Sequence, residues 1–145
     1  MMKTLNKCIV LVILGIFVHS TYAADKFIVE ASPETVEGAK TVSNTEAKAL
    51  FDKGVLFIDV RSSKAYKKGR VPDALFLDLK ENFSKEAIAA EAGFTDPIAI
   101  YCQGPKCKRA SVAVKKALGW GFKEVYYYRD GFPGWKKEGY SVDAD

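Results

Sequence analysis

At 145 residues the chain has room for one folded domain with a real core. With 48% hydrophobic and 28% charged residues it has the make-up of a soluble globular protein, with neither a collagen-like nor a disordered bias. The formal net charge of +4 is too small for a nucleic-acid footprint, so no nucleic-acid partner is expected.

The first segment reads as a secretory signal. Lys3 and Lys7 form a basic start, Cys8 to Val18 (CIVLVILGIFV) an apolar centre, and Thr21-Tyr22-Ala23 a cleavage site with Ala23 before the cut. The apolar run is far short of the roughly 20 residues a spanning helix needs. A signal peptide over 1–23 is therefore expected to be cleaved, leaving a periplasmic or secreted chain with no stable membrane span. Cleavage removes two lysines and no acid, so 20 basic residues face 18 acidic ones. It also removes His19, Met1, Met2 and Cys8; the mature chain then has no histidine and keeps only Cys102 and Cys107 as thiols. Without histidine there is no Ser-His-Asp or Cys-His pair and no His-containing zinc or blue-copper site. Neither a metal nor a cofactor is expected.

Residues 24–42 read as an N-terminal arm: one strand candidate, Phe27 to Val29, then a polar stretch broken by Pro33 and Gly38. The domain proper is expected over 43–145. Ser43 or Asn44 caps a helix, Glu46 stands three residues after Ser43 as in a capping box, and Ala47, Leu50 and Phe51 share one face until Gly54. Val55 to Val60 is a continuous apolar run, as in a strand buried on both faces. A short helix over Ser62 to Lys68, a turn at Gly69 to Asp73 and a strand over Ala74 to Leu79 follow. Ser84 to Ala92 reads as a helix and Pro97 to Tyr101 as a buried strand ending at Cys102. Ala110, Val114 and Ala117 or Leu118 recur at helical spacing up to Gly119 and Gly121; Glu124 to Tyr128 is a last strand and Gly131 to Glu138 a last helix. Strands alternating with helices give an α/β fold with a parallel sheet covered on both faces. Tyr126 to Tyr128 read as strand packing, not as a ligand box.

The chemistry falls on Cys102-Gln-Gly-Pro-Lys-Cys107-Lys-Arg109. In open α/β sheets ligands bind at the carboxyl ends of strands, and Cys102 stands at such an end. A short loop with Gly104 and Pro105 leading into a helix gathers backbone N–H groups into a cradle for an anion, and Lys106, Lys108 and Arg109 add positive charge. That field is expected to lower the pKa of Cys102 and make it a nucleophile. With no histidine to serve as general base, the substrate needs a leaving group that departs unaided. Sulfane sulfur fits, phosphate and arsenate oxyanions also suit such a cradle, and the cradle alone does not separate them.

From about Thr41 onward the chain resembles the rhodanese superfamily. Asp59-Val60-Arg61, Tyr66 to Ala74 (YKKGRVPDA), Tyr101-Cys102, Arg129 to Trp135 (RDGFPGW) and Gly139-Tyr140 look like its ordered signature blocks. The resemblance implies a five-stranded, mostly parallel sheet with helices on both faces, Cys102 as nucleophile, and a substrate cradle of Gln103, Gly104, Pro105, Lys106, Lys108 and Arg109. It also implies persulfide sulfur transfer from a small sulfur-containing anion or persulfide to a thiol or cyanide. Six residues separate Cys102 from Arg109, where such sulfurtransferases usually have four and the phosphatase and arsenate-reductase relatives five, so the loop is extended. Arg70 replaces the histidine that relatives often carry after the turn glycine.

Cys107 is an addition that a simple sulfur carrier does not need. It is a candidate resolving thiol or disulfide partner. Two alternatives to sulfur transfer stay open: a thiol–disulfide redox protein cycling the Cys102/Cys107 pair, with a periplasmic thiol protein as partner, and a noncatalytic module that binds an oxyanion or a partner. Asp59 and Arg61 read as a buried pair bracing the loops, and Phe132 and Trp135 as a packed lid. Arg129 and Asp130 are placed at the pocket rim, and Lys64, Lys67, Lys68, Lys136 and Lys137 on solvated faces.

Overall fold

A computed structural model describes residues 31–145. The expected signal peptide and the strand candidate Phe27 to Val29 lie outside the described residues. Five strands, β1 (Lys40–Thr41), β2 (Leu56–Asp59), β3 (Leu75–Phe76), β4 (Pro97–Tyr101) and β5 (Glu124–Tyr128), form one sheet in the order β1-β5-β4-β2-β3. Every pairing between these strands is parallel. The edge strand β1 comes from the segment read as an arm.

Five helices connect them: α1 (Asn44–Asp52), α2 (Ser63–Lys68), α3 (Lys85–Ala89), α4 (Arg109–Gly119) and α5 (Gly131–Lys137). The capping box is present, with the Ser43 side chain accepting from the Glu46 N–H and the Glu46 carboxylate accepting from the Ser43 N–H at 2.8 Å. Ser62 and Ser84 cap α2 and α3 by the serine side chain alone, which accepts from the Ala65 and Ala87 N–H groups.

Side chains alternate across the sheet with period two. Ile58, Ile98, Ile100, Val125 and Tyr127 point to one face, where Ile88 of α3 and Ala110, Ala113, Val114 and Ala117 of α4 cover them. Phe57, Ala99, Tyr101 and Tyr128 point to the other, against Ala47 of α1 and Phe132 and Trp135 of α5. The tyrosine row is strand packing, since Tyr127 and Tyr128 are fully buried. Trp135 is the largest fully buried side chain; its ring meets Phe51 edge-on at 5.3 Å and its Nε1 donates to the Ser141 carbonyl at 2.8 Å.

The register sets the position of the site. Asp59 lies opposite Tyr101, and Tyr101 opposite Tyr128, so β2, β4 and β5 end level with one another. After β2 the chain moves outward to β3, whereas after β4 it moves the other way to β5. The two loops diverge and leave a crevice between them at the carboxyl edge of the sheet, the place where such sheets bind ligands.

Candidate active site

One wall of the crevice is the turn after β2. Asp59 and Arg61 are 0% and 3% exposed, and they are paired as the sequence indicates. Arg61 Nε lies 3.0 and 3.1 Å from the two carboxylate oxygens and Nη2 donates to Oδ2 at 2.7 Å. Nη2 also donates to the Gly69 carbonyl at 2.6 Å and Nη1 to Gln103 Oε1 at 3.0 Å. The buried Tyr101 hydroxyl donates to Asp59 Oδ2 at 2.7 Å and accepts from the Val71 N–H. Burial first, then the Asp59 charge, pushes its pKa up, so it stays a donor. Four of the five guanidinium N–H groups are thereby used among the described residues, which leaves one on Nη1 of a residue that lines the crevice. The guanidinium also stacks on Phe132, 4.5 Å from the ring centre.

The other wall is the β4–α4 loop. Cys102 continues the alternation of β4, so its side chain falls on the α4 face and is 1% exposed. Gly104 takes φ +107, and Gly104-Pro105-Lys106-Cys107 closes a turn through a 2.9 Å bond from the Cys107 N–H to the Gly104 carbonyl. Proline at the second position suits such a turn. It brings Cys107 back against Cys102, with its carbonyl 3.2 Å from Cys102 Sγ. The loop is tied down from outside: the Pro105 carbonyl accepts from the N–H and Oγ of Ser32 at 2.7 and 2.9 Å, and the Cys102 carbonyl accepts from the Phe132 N–H at 3.0 Å. Gly131, at φ +58, passes so close that a Cβ there would lie 2.2 Å from the Cys102 carbonyl oxygen.

Both thiols are free, Cys102 buried and Cys107 half-buried. Cys102 Sγ accepts from the Ala110 N–H at 3.4 Å and lies 3.2 Å from the Cys107 carbonyl, to which its own S–H can donate. The Cys107 sulfur is the alternative acceptor for that same S–H. That bond, helped by the Gln103 and Arg109 N–H groups and the Arg109 charge, lowers Cys107 to about 6 against the opposing effect of burial. The same bond, together with burial and the facing charge of Cys107, pushes Cys102 up, although the Ala110 and Gly104 N–H groups pull it down. This corrects the expectation of a lowered Cys102. The Ala110 N–H does point at Cys102 Sγ, but the Cys107 sulfur beside it and burial outweigh that pull.

Two adjoining cavities open over the loop. The smaller, about 200 Å³, is lined by Arg61, Ser62, Ala65, Gln103, Cys107 and Arg109. The larger, about 370 Å³, shares four of these residues and adds Lys64, Lys68, Phe132 and Lys136. Of the loop residues singled out from sequence, Gln103 and Arg109 reach the crevice together with Cys107. Arg109 does so while its Nη1 donates to Asp78 at 2.8 Å and to the Val60 carbonyl at 3.2 Å. Gly104 is buried backbone, whereas Pro105 and Lys106 are exposed. Lys108 lines a separate depression with Ala31, Pro33 and Lys115. Arg129 is committed to the Ser32 and Pro33 carbonyls, so it anchors the arm and does not point into the crevice. Three lysines read as solvated, Lys64, Lys68 and Lys136, stand at the mouth of the larger cavity, brought together from α2 and α5 by the fold alone. Among the described residues no cluster of three His, Cys, Asp or Glu is placed to hold a metal ion.

A family model described as the rhodanese-like domain matches residues 43–138. A protein from Pseudomonas syringae pv. syringae named thiosulfate sulfurtransferase GlpE is 29% identical over 97 residues, 67% of this chain and 87% of that one. Among solved structures, the BH2092 protein of Bacillus halodurans is 26% identical with a TM-score of 0.64, covering 73% of this chain and 77% of that one. The polysulfide-sulfur transferase homodimer of Wolinella succinogenes has a TM-score of 0.59 at 23% identity, covering 74% of this chain and 80% of that one.

Proposed function

This chain belongs to the rhodanese-like domain family, and from that premise we propose that it is a sulfurtransferase. Sulfane sulfur from thiosulfate or a persulfide is carried as a persulfide in the β4–α4 loop and handed to a thiol or to cyanide. Cys102 occupies the position of the family's nucleophile, and Cys107 is the second thiol of the carrier. The observation that carries the reading is a pair of free thiols in one loop, the inner accepting from the Ala110 N–H at 3.4 Å and the outer lining a cavity with Arg61 and Arg109, beside a second cavity with basic residues at its mouth. The relatives named for thiosulfate sulfurtransferase support the same chemistry.

The residues divide the task as follows. Lys64, Lys68 and Lys136 draw a dianion toward the crevice, and the free Nη1 hydrogen of Arg61 and the amide of Gln103 meet its oxygens. A thiolate attacks the outer sulfur, and sulfite leaves without needing a proton, which suits a site that has no histidine among residues 31–145. Residues 1–23 as an export signal, 43–145 as the working domain and a periplasmic or secreted location belong to the same proposal.

The test is a turnover assay on the reduced protein with thiosulfate and cyanide. Both sulfite and thiocyanate are expected to form, and neither from the Cys102→Ser/Cys107→Ser double variant. If the reduced wild-type protein forms no thiocyanate and releases no sulfite, the sulfurtransferase reading is lost.

A further inference from the structure

We propose that Cys107, not Cys102, takes the sulfur from the donor, and that Cys102 then expels it as hydrosulfide by closing a Cys102–Cys107 disulfide. The inference rests on the sulfurtransferase reading and adds a second activity to it: acceptance of one sulfane sulfur is coupled to oxidation of the protein's own thiol pair.

Access separates the two sulfurs. Cys107 is half-buried and forms part of the cavity wall with Arg61, Gln103 and Arg109, whereas Cys102 is 1% exposed and lies beneath it on the α4 face. A donor entering between the β2 and β4 loops meets Cys107 first. Charge acts in the same sense, because the contact between the two thiols raises Cys102 and lowers Cys107. The extra length of the loop has a use here: the Gly104-Pro105 turn is what brings Cys107 back against Cys102, its carbonyl 3.2 Å from the Cys102 sulfur.

The steps balance. The Cys107 thiolate attacks the outer sulfur of thiosulfate; an S–S bond forms on Cys107, the old S–S bond breaks, and sulfite leaves with its electron pair. The new persulfide places its inner sulfur where the thiolate had been, in contact with Cys102. Negative charge has moved one atom outward, so the main influence that held Cys102 protonated weakens, while the Ala110 and Gly104 N–H groups that favour its thiolate remain. Cys102 attacks the inner sulfur, its proton leaves with the outer sulfur as hydrosulfide, and the Cys102–Cys107 disulfide closes. Sulfane sulfur is reduced by two electrons and the two thiols are oxidised by two. An external acceptor competes with Cys102 for the persulfide, and a dithiol reductant resets the pair.

The experiment uses the full chain, reduced, freed of reductant and held without oxygen. One addition of thiosulfate is followed by acid quench, intact mass, and assays of sulfite and sulfide. The wild type is expected to lose two hydrogens and release one sulfite and one sulfide per chain. Cys102→Ala is expected to gain one sulfur and release sulfite but no sulfide, while Cys107→Ala gains none and loses at least 100-fold in sulfite release rate. Trypsin cleaves after Lys106 and so puts the two cysteines on separate peptides, which locates the added sulfur. Sulfur found on Cys102 in Cys107→Ala at the wild-type rate overturns the assignment, as does a wild type that keeps a persulfide and yields no sulfide; both leave the sulfurtransferase reading standing. A wild type that releases neither sulfite nor sulfide removes both.

Discussion

The loops that leave β2 and β4 start side by side on one sheet edge and are held in opposite ways. After β2 the chain is fixed by charge, with Asp59 and Arg61 buried and locked to Gly69, Tyr101 and Gln103. After β4 it is fixed by backbone, through the Gly104–Cys107 turn, the Ser32 contacts and the close passage of Gly131. A buried charge with four of its five N–H groups bonded has little capacity left to react; a sulfur held by an N–H group and a carbonyl keeps a lone pair to attack with. The first loop is the frame and the second is the working part. Asp59→Ala breaks the frame: it leaves the Arg61 charge buried without its carboxylate, and we expect a loss of about 3–5 kcal/mol in denaturant unfolding. The paired change Asp59→Leu with Arg61→Met is expected to cost less than that single change, because no lone charge is left behind. A single-variant loss under about 1 kcal/mol would make the β2 loop no more a frame than the β4 loop.

The backbone-held loop is probed at Gly131. An added methyl meets the Cys102 carbonyl oxygen and, at 2.9 Å, the Gly104 nitrogen, neither of which is a flexible side-chain tip. Gly131→Ala is expected to cost about 2–4 kcal/mol, combining overpacking with the left-handed backbone, and to slow single-turnover sulfite release. Gly54 is the control. It takes φ +80, and a methyl added there would meet nothing within 4 Å, so Gly54→Ala is expected to cost only about 1 kcal/mol and leave the rate unchanged. Equal costs at the two positions would mean that backbone strain, not crowding against Cys102, is what Gly131 relieves.

Charge on the thiols gives a third difference between the loops, one visible in pH. Cys107 is lowered to about 6, so its thiolate fraction rises as pH climbs through 6 and is nearly complete at 7.5. An ordinary cysteine begins that rise near its free value of about 8.5. The rate of Cys107 alkylation by iodoacetamide is therefore expected to level off between pH 7 and 8 in the wild type. In Cys102→Ala, which removes the hydrogen bond that contributes most to the lowering, the midpoint should move upward. An unmoved midpoint in that variant would assign the lowering to the loop N–H groups alone.

Most of the fold was legible because each element carried its own local signal. The Ser43–Glu46 capping box, the PIAIY run and the Gly131-to-Trp135 block each identify one element without reference to the rest. Of the two edge strands, β1 was not, since two residues have no period to detect, and β3 was read in place but not in length. Ala74 to Leu79 reads as a longer strand than the one formed; beyond Phe76 the bonds from Leu77 and Leu79 to Asp59 and Val60 carry on the contact with β2 without extending the regular strand. The site was legible as a loop but not as a geometry. The period-two pattern of β4 already puts Cys102 on the α4 side, but the end of a strand invites the opposite reading, that its thiol stands open. What lies over it depends on a turn whose direction only the packed Ser32 and Gly131 contacts fix.

The smallest effect belongs to the lysines, and it decides whether the crevice is a site or merely a basic surface. Lys64, Lys68 and Lys136 are exposed, so each contributes a screened attraction of about 0.5–1 kcal/mol to a dianion in the cavity. Lys136→Ala is expected to raise KM for thiosulfate roughly twofold to fivefold with kcat unchanged, and the effect should vanish at about 1 M salt, where the screening length falls to about 3 Å. Lys137 is its neighbour on α5, equally exposed and equally charged, but it is not part of the cavity wall. Lys137→Ala should therefore leave KM alone. If both substitutions raise KM alike, the attraction comes from the overall positive field of α5; if only Lys136→Ala does, the crevice between the β2 and β4 loops is where the donor sits.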